Sequence, residues 1–317
     1  MEINIWPNSN KKFSSRLISN VSHHDVENKL SSMFEHAYPV VCSSARSCIS
    51  LIIEDLKLSR GNFVKVPAYA SHCVLESTSR FATPITYNAD VSCDASIIYH
   101  QWGITQENTN KSPGVIIEDA CDSIYSEKHI RMPLGGDYEI WSLPKILGCS
   151  SGGVIWCRNK ADAKNLSLLR NKRKHSGIFH WYLRVLGRKH PVAMSYWNGV
   201  ESLSGQLPSL ALNEILFTLD SYDAIVEQRK DRLDLARSCL DPVYKNKEDG
   251  RLPCCLPLSV SNNEIKELAN IGIDIGIKHF EKINSSGKSE LTKVYPLPVH
   301  QDIPMDMLES SLKILKK

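Results

Sequence analysis

Apolar residues in this chain fall in short runs separated by stretches with helical spacing. Ala37–Cys42 (AYPVVC), Asn62–Val66 (NFVKV), Pro84–Tyr87 (PITY), Ser96–Tyr99 (SIIY) and Gly114–Ile117 read as strands. The last of these ends at the acidic pair Glu118-Asp119. Ser43-Ser44 precede apolar positions 49, 52, 53 and 56, the spacing of a helix with a serine cap. Residues 71–81 also suit a helix. Gly153–Cys157 (GVIWC) is a further strand, antiparallel or at an edge. This alternation predicts an α/β fold whose mostly parallel central sheet is covered by flanking helices. Ligands of such folds sit at the carboxyl ends of strands, where Ser44, Pro67, His100 and Asp119 fall.

Elsewhere the pattern changes. Residues 1–36 are polar, with a helix near 25–36. From 158 to about 206 the chain is basic, aromatic and irregular, and 209–238 is helix-compatible, without Pro or Gly. A second α/β pattern follows: a strand at Leu256–Val260, a helix at Asn262–Ile271 capped by Asn262 or Asn263, a strand led by Lys293–Tyr295, and a last helix at Pro304–Lys316. At 317 residues the chain is long for one core. The expected division is an N-terminal helical segment (1–36), a large domain (37–208), and a long helix with a smaller C-terminal α/β domain (209–317).

Composition narrows the function classes. The net charge of +3 is small, and the basic cluster Arg170–His175 is local, so nucleic-acid binding is not expected. No run reaches the roughly 18 apolar residues of a membrane span, and MEINIWPNSNKKF has no long apolar segment after its charges, so a cytoplasmic location is expected. The ten cysteines include no CxxC pair and no zinc spacing, which suits reduced, buried thiols and no metal. His23-His24 read as surface residues.

Chemistry concentrates in VIIEDACDSIYS (115–126) and GGDYEIWSLPKILGCSSGG (135–153). A strand-end carboxylate, Asp119, precedes a lysine, Lys145, in Ser-Leu-Pro-Lys, and the pair Gly152-Gly153 closes the segment. Pyridoxal phosphate (PLP) chemistry needs this combination. The amine captures the cofactor aldehyde, and the carboxylate keeps the pyridine nitrogen protonated so that the ring accepts electrons. A free lysine amine is protonated at neutral pH, so burial and cofactor contact are expected to lower its pKa. Glu118 points to the opposite face and reads as structural.

The order of motifs resembles the DegT-type PLP-dependent sugar aminotransferases, a branch of fold type I, over roughly residues 37–316. SSARSCISL (43–51) is similar to that family's Ser-Gly-Thr-Ala-Ala-Leu segment, VKVPAYASH (64–72) to its Val-Pro-Ala-Phe-Thr strand end, and YHQWG (99–103) to its His-Leu-Tyr-Gly loop. IEDACD (117–122) resembles Glu-Asp-Ala-Ala-Gln, LRNKRKHSG (169–177) resembles Leu-Arg-Asn-His-Gly, and VYPLPVHQDIP (294–304) resembles the closing Tyr-Leu-Pro-Leu-His element. The resemblance implies Lys145 as the catalytic lysine and Asp119 as partner of the ring nitrogen. Ser44, Ala45 and Arg46 would cradle the cofactor phosphate at a helix N-terminus, with Ser142 assisting. Tyr69 or His72 would cover the ring. His100 and Asp122 match pocket-lining positions, Asp122 on the cofactor side and His100 on the substrate side. Lys172 to His175, Lys174 and His175 above all, would anchor a substrate diphosphate, and Asn198 matches a family asparagine.

Departures stand beside these matches. Ala45 and Arg46 replace the family's Gly and Thr, the loop between serine and lysine is two residues shorter, and an expected arginine is absent around Gln206-Leu207. The implied function is transfer of an amino group, from glutamate, to a keto group of a nucleotide-linked deoxysugar, for surface polysaccharides such as lipopolysaccharide or other glycans. A homodimer with sites at its interface is implied too. The alternatives are a PLP-dependent sugar dehydratase, against which Lys145 argues, and a cofactor-free or regulatory protein on the same fold.

Overall fold

The computed structural model describes residues 3–7, 20–68, 70–105, 114–126, 132–173, 203–240, 250–282 and 290–316. Its centre is a seven-stranded sheet of order β1-β8-β7-β5-β4-β2-β3. The strands are β1 (Tyr38–Cys42), β2 (Phe63–Val66), β3 (Thr83–Thr86), β4 (Ala95–Tyr99), β5 (Val115–Asp119), β7 (Tyr138–Ser142) and β8 (Gly153–Cys157). Pairs β2–β3, β2–β4, β4–β5 and β5–β7 are parallel. β8 runs antiparallel to both β1 and β7, so it lies inside the sheet and the edge position goes to β1. A short pair joins β6 (Ser123–Tyr125) to β9 (Arg251–Pro253), and a three-stranded sheet is built from β10 (Cys255–Leu258), β11 (Lys278–Lys282) and β12 (Glu290–Pro298).

Both faces of the large sheet are covered, so its central strands are buried and mostly apolar, with Glu118, Asp119 and Glu139 as buried exceptions. Alternation divides them between two cores. Val41, Trp141, Val154 and Trp156 join one cluster, and Val40, Cys42, Ile140, Ile155 and Cys157 join the other. The second cluster is sealed by α2 (Ala45–Asp55), whose buried face runs from Ser47 to Ile53. The first is sealed by α1 (His23–Met33), α6 (Ser209–Leu219) and α7 (Tyr222–Cys239). There Phe34 meets Trp141, Trp156 and Tyr222 edge-on at 5.2, 5.4 and 5.1 Å. Edge-to-face packing adds to the area these rings bury. The same core takes in Leu256, Leu297 and Leu308, so the C-terminal elements rest on the helical layer of the large sheet.

Several expectations from the sequence need correction. The stretch after β8 opens with a regular helix, α5 (Lys160–Lys172). Residues 209–238 are two helices, broken at Asp220-Ser221. Asp and Ser compete for backbone hydrogen bonds and favour helix ends even without Gly or Pro. The helix α8 (Asn262–Asn270) is capped by Ser261, not an asparagine. The Ser261 hydroxyl accepts from Glu264 N while the Glu264 side chain takes the Ser261 N–H. His23 is half-buried, and its Nε2 accepts from Leu207 N at 3.0 Å. The basic cluster is partly structural: Arg170 binds Glu27 and donates to Val41 O at 2.9 Å, and Arg173 binds Glu54. The remaining elements are α3 (His72–Ser79), α4 (Leu143–Ile146) and α9 (Met305–Leu315). Among the described residues no helix is long and apolar enough to cross a membrane.

Candidate active site

Three neighbouring parallel strands, β4, β5 and β7, end at one place and deliver the chemistry there. Tyr99 and Asp119 are the last residues of β4 and β5 and stand in register. Register partners project to the same face, which places Tyr99 with Asp119, and successive residues alternate, so Glu118 and Asp119 project to opposite faces. Glu118 is buried on the far face, where its carboxylate meets His100 Nε2 at 2.8 Å and accepts from Gly136 N at 2.8 Å. His100 is thereby buried, with its Nε2 bonded to Glu118. Asp119 is buried on the near face, its rotamer fixed by the Cys121 N–H donating to Oδ1 at 3.1 Å.

After β7, Pro144 opens the short helix α4, and Lys145 projects from it. Lys145 Nζ donates to Asp122 Oδ1 at 2.8 Å, and the Tyr99 hydroxyl donates to the other oxygen of Asp122. The side chain of Asp122 is 2% exposed and that of Lys145 28% exposed. The ring of Trp6, from the N-terminal segment, lies under the same amine, its centroid 4.7 Å from Nζ. Burial acts to lower the amine's pKa, but the Asp122 carboxylate, with the Cys121 and Cys73 thiols, outweighs it and holds the ammonium above the ordinary lysine value. Without cofactor contact, a buried carboxylate touching the amine stabilises the charged form. Burial raises Asp119, and the nearby Lys145 charge opposes that rise. Tyr99 is raised by burial and then by Asp122.

The α2 N-terminus is set against this loop by glycine. Ser142, Gly153 and Cys42 share one row across the sheet. A Cβ on Gly153 would lie 2.5 Å from the Ser44 carbonyl carbon and 2.6 Å from Ala45 N, so only glycine lets the Ser44–Ala45 backbone rest on β8. Gly152 N donates to Ser43 O at 3.0 Å, and Ser43 N donates to Gly205 O at 3.0 Å. Ser44 caps α2, its hydroxyl accepting from Ser47 N at 3.1 Å. Ala45 and Arg46 form the first turn, half-buried, and Ser142 is nearly buried and makes no side-chain cap bond to α4.

The structure thus brings together Lys145, Asp119 and Asp122, and aligns Ser142 with the Ser44–Arg46 turn through Gly153. His72 is exposed at the first residue of α3, while its neighbour Cys73 lies near enough to raise Lys145. Tyr69, Lys174, His175 and Asn198 lie outside the described residues. Sequence reasoning missed Tyr99 and Trp6. Tyr99 stands in the quoted YHQWG motif and could have been found from its place at a strand end. Trp6 lies in a polar stretch with no periodicity to flag it.

A family model described as "Putative PLP-dependent aminotransferase" matches residues 26–313. The chain belongs to the PLP-dependent aminotransferases. The aminotransferase is therefore an enzyme that uses PLP, and the cofactor-free and dehydratase alternatives are set aside. Its fold is shared with "Putative sugar aminotransferase Spr1654 from Streptococcus pneumoniae, PMP-form", at TM-score 0.70 and 15% identity over 99% of this chain and 98% of that one. Sugar aminotransferase CalS13 from Micromonospora echinospora matches at TM-score 0.70 and 13% identity, covering 100% and 99%. DesV of S. venezuelae, solved with a ketimine intermediate, matches at 0.69 and 15% identity, covering 96% and 90%. No curated protein sequence matches the aminotransferase.

The residues present fit PLP on physical grounds. Asp119 is a buried acid with no salt-bridge partner among the described residues, and a protonated ring nitrogen would supply one. The Ser151 hydroxyl, in the loop between Lys145 and Gly152, is buried without a hydrogen-bond partner among the described residues. The α2 N-terminus, at Ser44–Arg46, is a helix end at which an anion is favoured.

Proposed function

We propose that this aminotransferase moves an amino group from glutamate to the keto group of a nucleotide-linked deoxysugar, in the synthesis of a surface polysaccharide or glycan. The observation that carries the catalytic part is the Lys145–Asp122 contact beside the buried Asp119, at the ends of adjacent parallel strands. PLP, when bound, supplies the aldehyde and the electron-accepting ring. Lys145 Nζ is the covalent anchor and the proton carrier, taking the proton from the donor's α carbon. Asp122, with Tyr99 on its second oxygen, stabilises the ammonium formed in that step. Asp119 holds the ring nitrogen in its cationic form, and the Ser44–Arg46 turn with Ser142 holds the phosphate.

The sugar acceptor is supported by the sugar aminotransferases among the structural neighbours and by the motif order from SSARSCISL to VYPLPVHQDIP. Lys174, His175 and Asn198 are the residues proposed to meet the substrate. A homodimer in the cytoplasm is the expected setting. The test is a two-stage absorbance assay. Glutamate should bleach the visible band of the loaded enzyme, and one member of a panel of keto-sugar nucleotides should restore it. Failure to bleach overturns the donor, and failure of the whole panel overturns the acceptor class.

A further inference from the structure

The segment Ile3–Pro7 is pinned to the C-terminal half of the chain and reaches the lysine. Ile3 is buried, and its N–H donates to Gly272 O at 3.3 Å. Asn4 O is met by His300 Nε2 at 2.9 Å. The tautomer follows from the geometry: His300 Nδ1 accepts from Asp302 N at 3.3 Å, so Nε2 carries the hydrogen and donates to Asn4. His300 is the histidine of the VYPLPVHQDIP element, which the catalytic reading leaves without a task. Its neighbour Gln301 accepts from the buried Arg229 at 2.6 Å. Arg229 also donates to Ile146 O at 2.8 Å, and Cys254 Sγ, 3.3 Å from Arg229, bonds Lys145 O at 2.8 Å. One buried network therefore mounts both the N-terminal segment and the backbone that carries Lys145.

We propose that the N-terminal segment completes the active site: Trp6 holds the free Lys145 ammonium through its ring face, and His300 is the positioning residue that sets Trp6 there. This rests on Lys145 being the catalytic lysine. A ring face within about 6 Å of an ammonium stabilises the charged form, most strongly for tryptophan. At 4.7 Å, Trp6 is within that range. Asp122 holds the ammonium as a hydrogen-bond acceptor, and Trp6 holds it without taking a proton. Lys145 thus keeps its place when it is released from the cofactor and carries a proton.

The test uses the full chain freed of cofactor. Lys145 is labelled competitively with trace acetic anhydride at fixed pH and its peptide quantified by mass spectrometry. Loss of the ring face should leave more unprotonated amine. Trp6→Ala should speed Lys145 labelling about three- to tenfold, with Trp6→Phe in between and better able to fold. His300→Ala should reproduce the acceleration. His300→Gln keeps a donor for Asn4 and should return labelling towards the starting rate. Unchanged labelling in both Trp6 variants overturns the inference. Acceleration in Trp6→Ala without any in His300→Ala overturns the positioning role. The underlying reading fails separately, if PLP and borohydride mark a residue other than Lys145 in the unmodified chain.

Discussion

Replacing Asp122 by Asn removes the charge that holds Lys145 protonated while preserving shape. Nζ lies 2.8 Å from an almost fully buried oxygen, and Tyr99 can still donate to the remaining carbonyl oxygen. At an effective dielectric near 20, a contact of that length has a Coulomb ceiling of about 6 kcal/mol. Partial exposure of the amine and the Trp6 ring retain part of the stabilisation of the ammonium. The general effect of an opposite charge at this range is a change of about 1–3 pK units. Asp122→Asn should therefore let Lys145 lose its proton at lower pH, and capture of PLP at pH 7 should run at least about tenfold faster. The rate is read from the rise of the visible band on adding PLP to cofactor-free protein, across pH 6–10. The variant should also unfold more easily, by about 1–3 kcal/mol, because it leaves a cation short of its partner. A pH profile that does not move, or moves to higher pH, would refute the argument that Asp122 sets the amine.

Other consequences follow from burial and close contact. His300 is held to a pKa of about 4, chiefly by burial, against an ordinary value of 6.5. The unfolded chain therefore takes up that proton first as pH falls, and stability complete above about pH 6.5 should decline by roughly 3 kcal/mol by pH 4. Urea unfolding at pH 7 and pH 4 should show that loss, and His300→Gln should reduce it. Gly153→Ala places a methyl group against the Ser44 backbone, which cannot swing aside. A cost of about 1–3 kcal/mol should appear as a lower melting temperature, together with weaker uptake of PLP.

Part of the fold was legible because burial on both sides gives β5 and β8 the apolar runs Val115–Ile117 and Val154–Trp156, whereas β7, with Glu139 between its apolar residues, carries no such run and was not legible as a strand. The division between Glu118 and Asp119 followed from strand alternation alone. What could not be read depends on contacts distant in sequence. The Lys145 pKa turns on Asp122, whose oxygen reaches Nζ only because α4 folds back over the turn after β5. The bond from His100 Nε2 to Glu118 joins two residues whose pairing no sequence spacing announces. The break at Asp220-Ser221 carries no Gly or Pro. Trp6 carries no local signal, because the groups that place it, Gly272 and His300, lie at the other end of the chain.

The central claim is that Lys145 is the amine that captures PLP. The loaded enzyme, reduced with borohydride and digested, should yield one phosphopyridoxyl-bearing peptide, with the added mass on Lys145, and Lys145→Ala should yield none. An adduct on any other lysine of the unmodified protein, or a visible band that survives Lys145→Ala unchanged, would contradict the account.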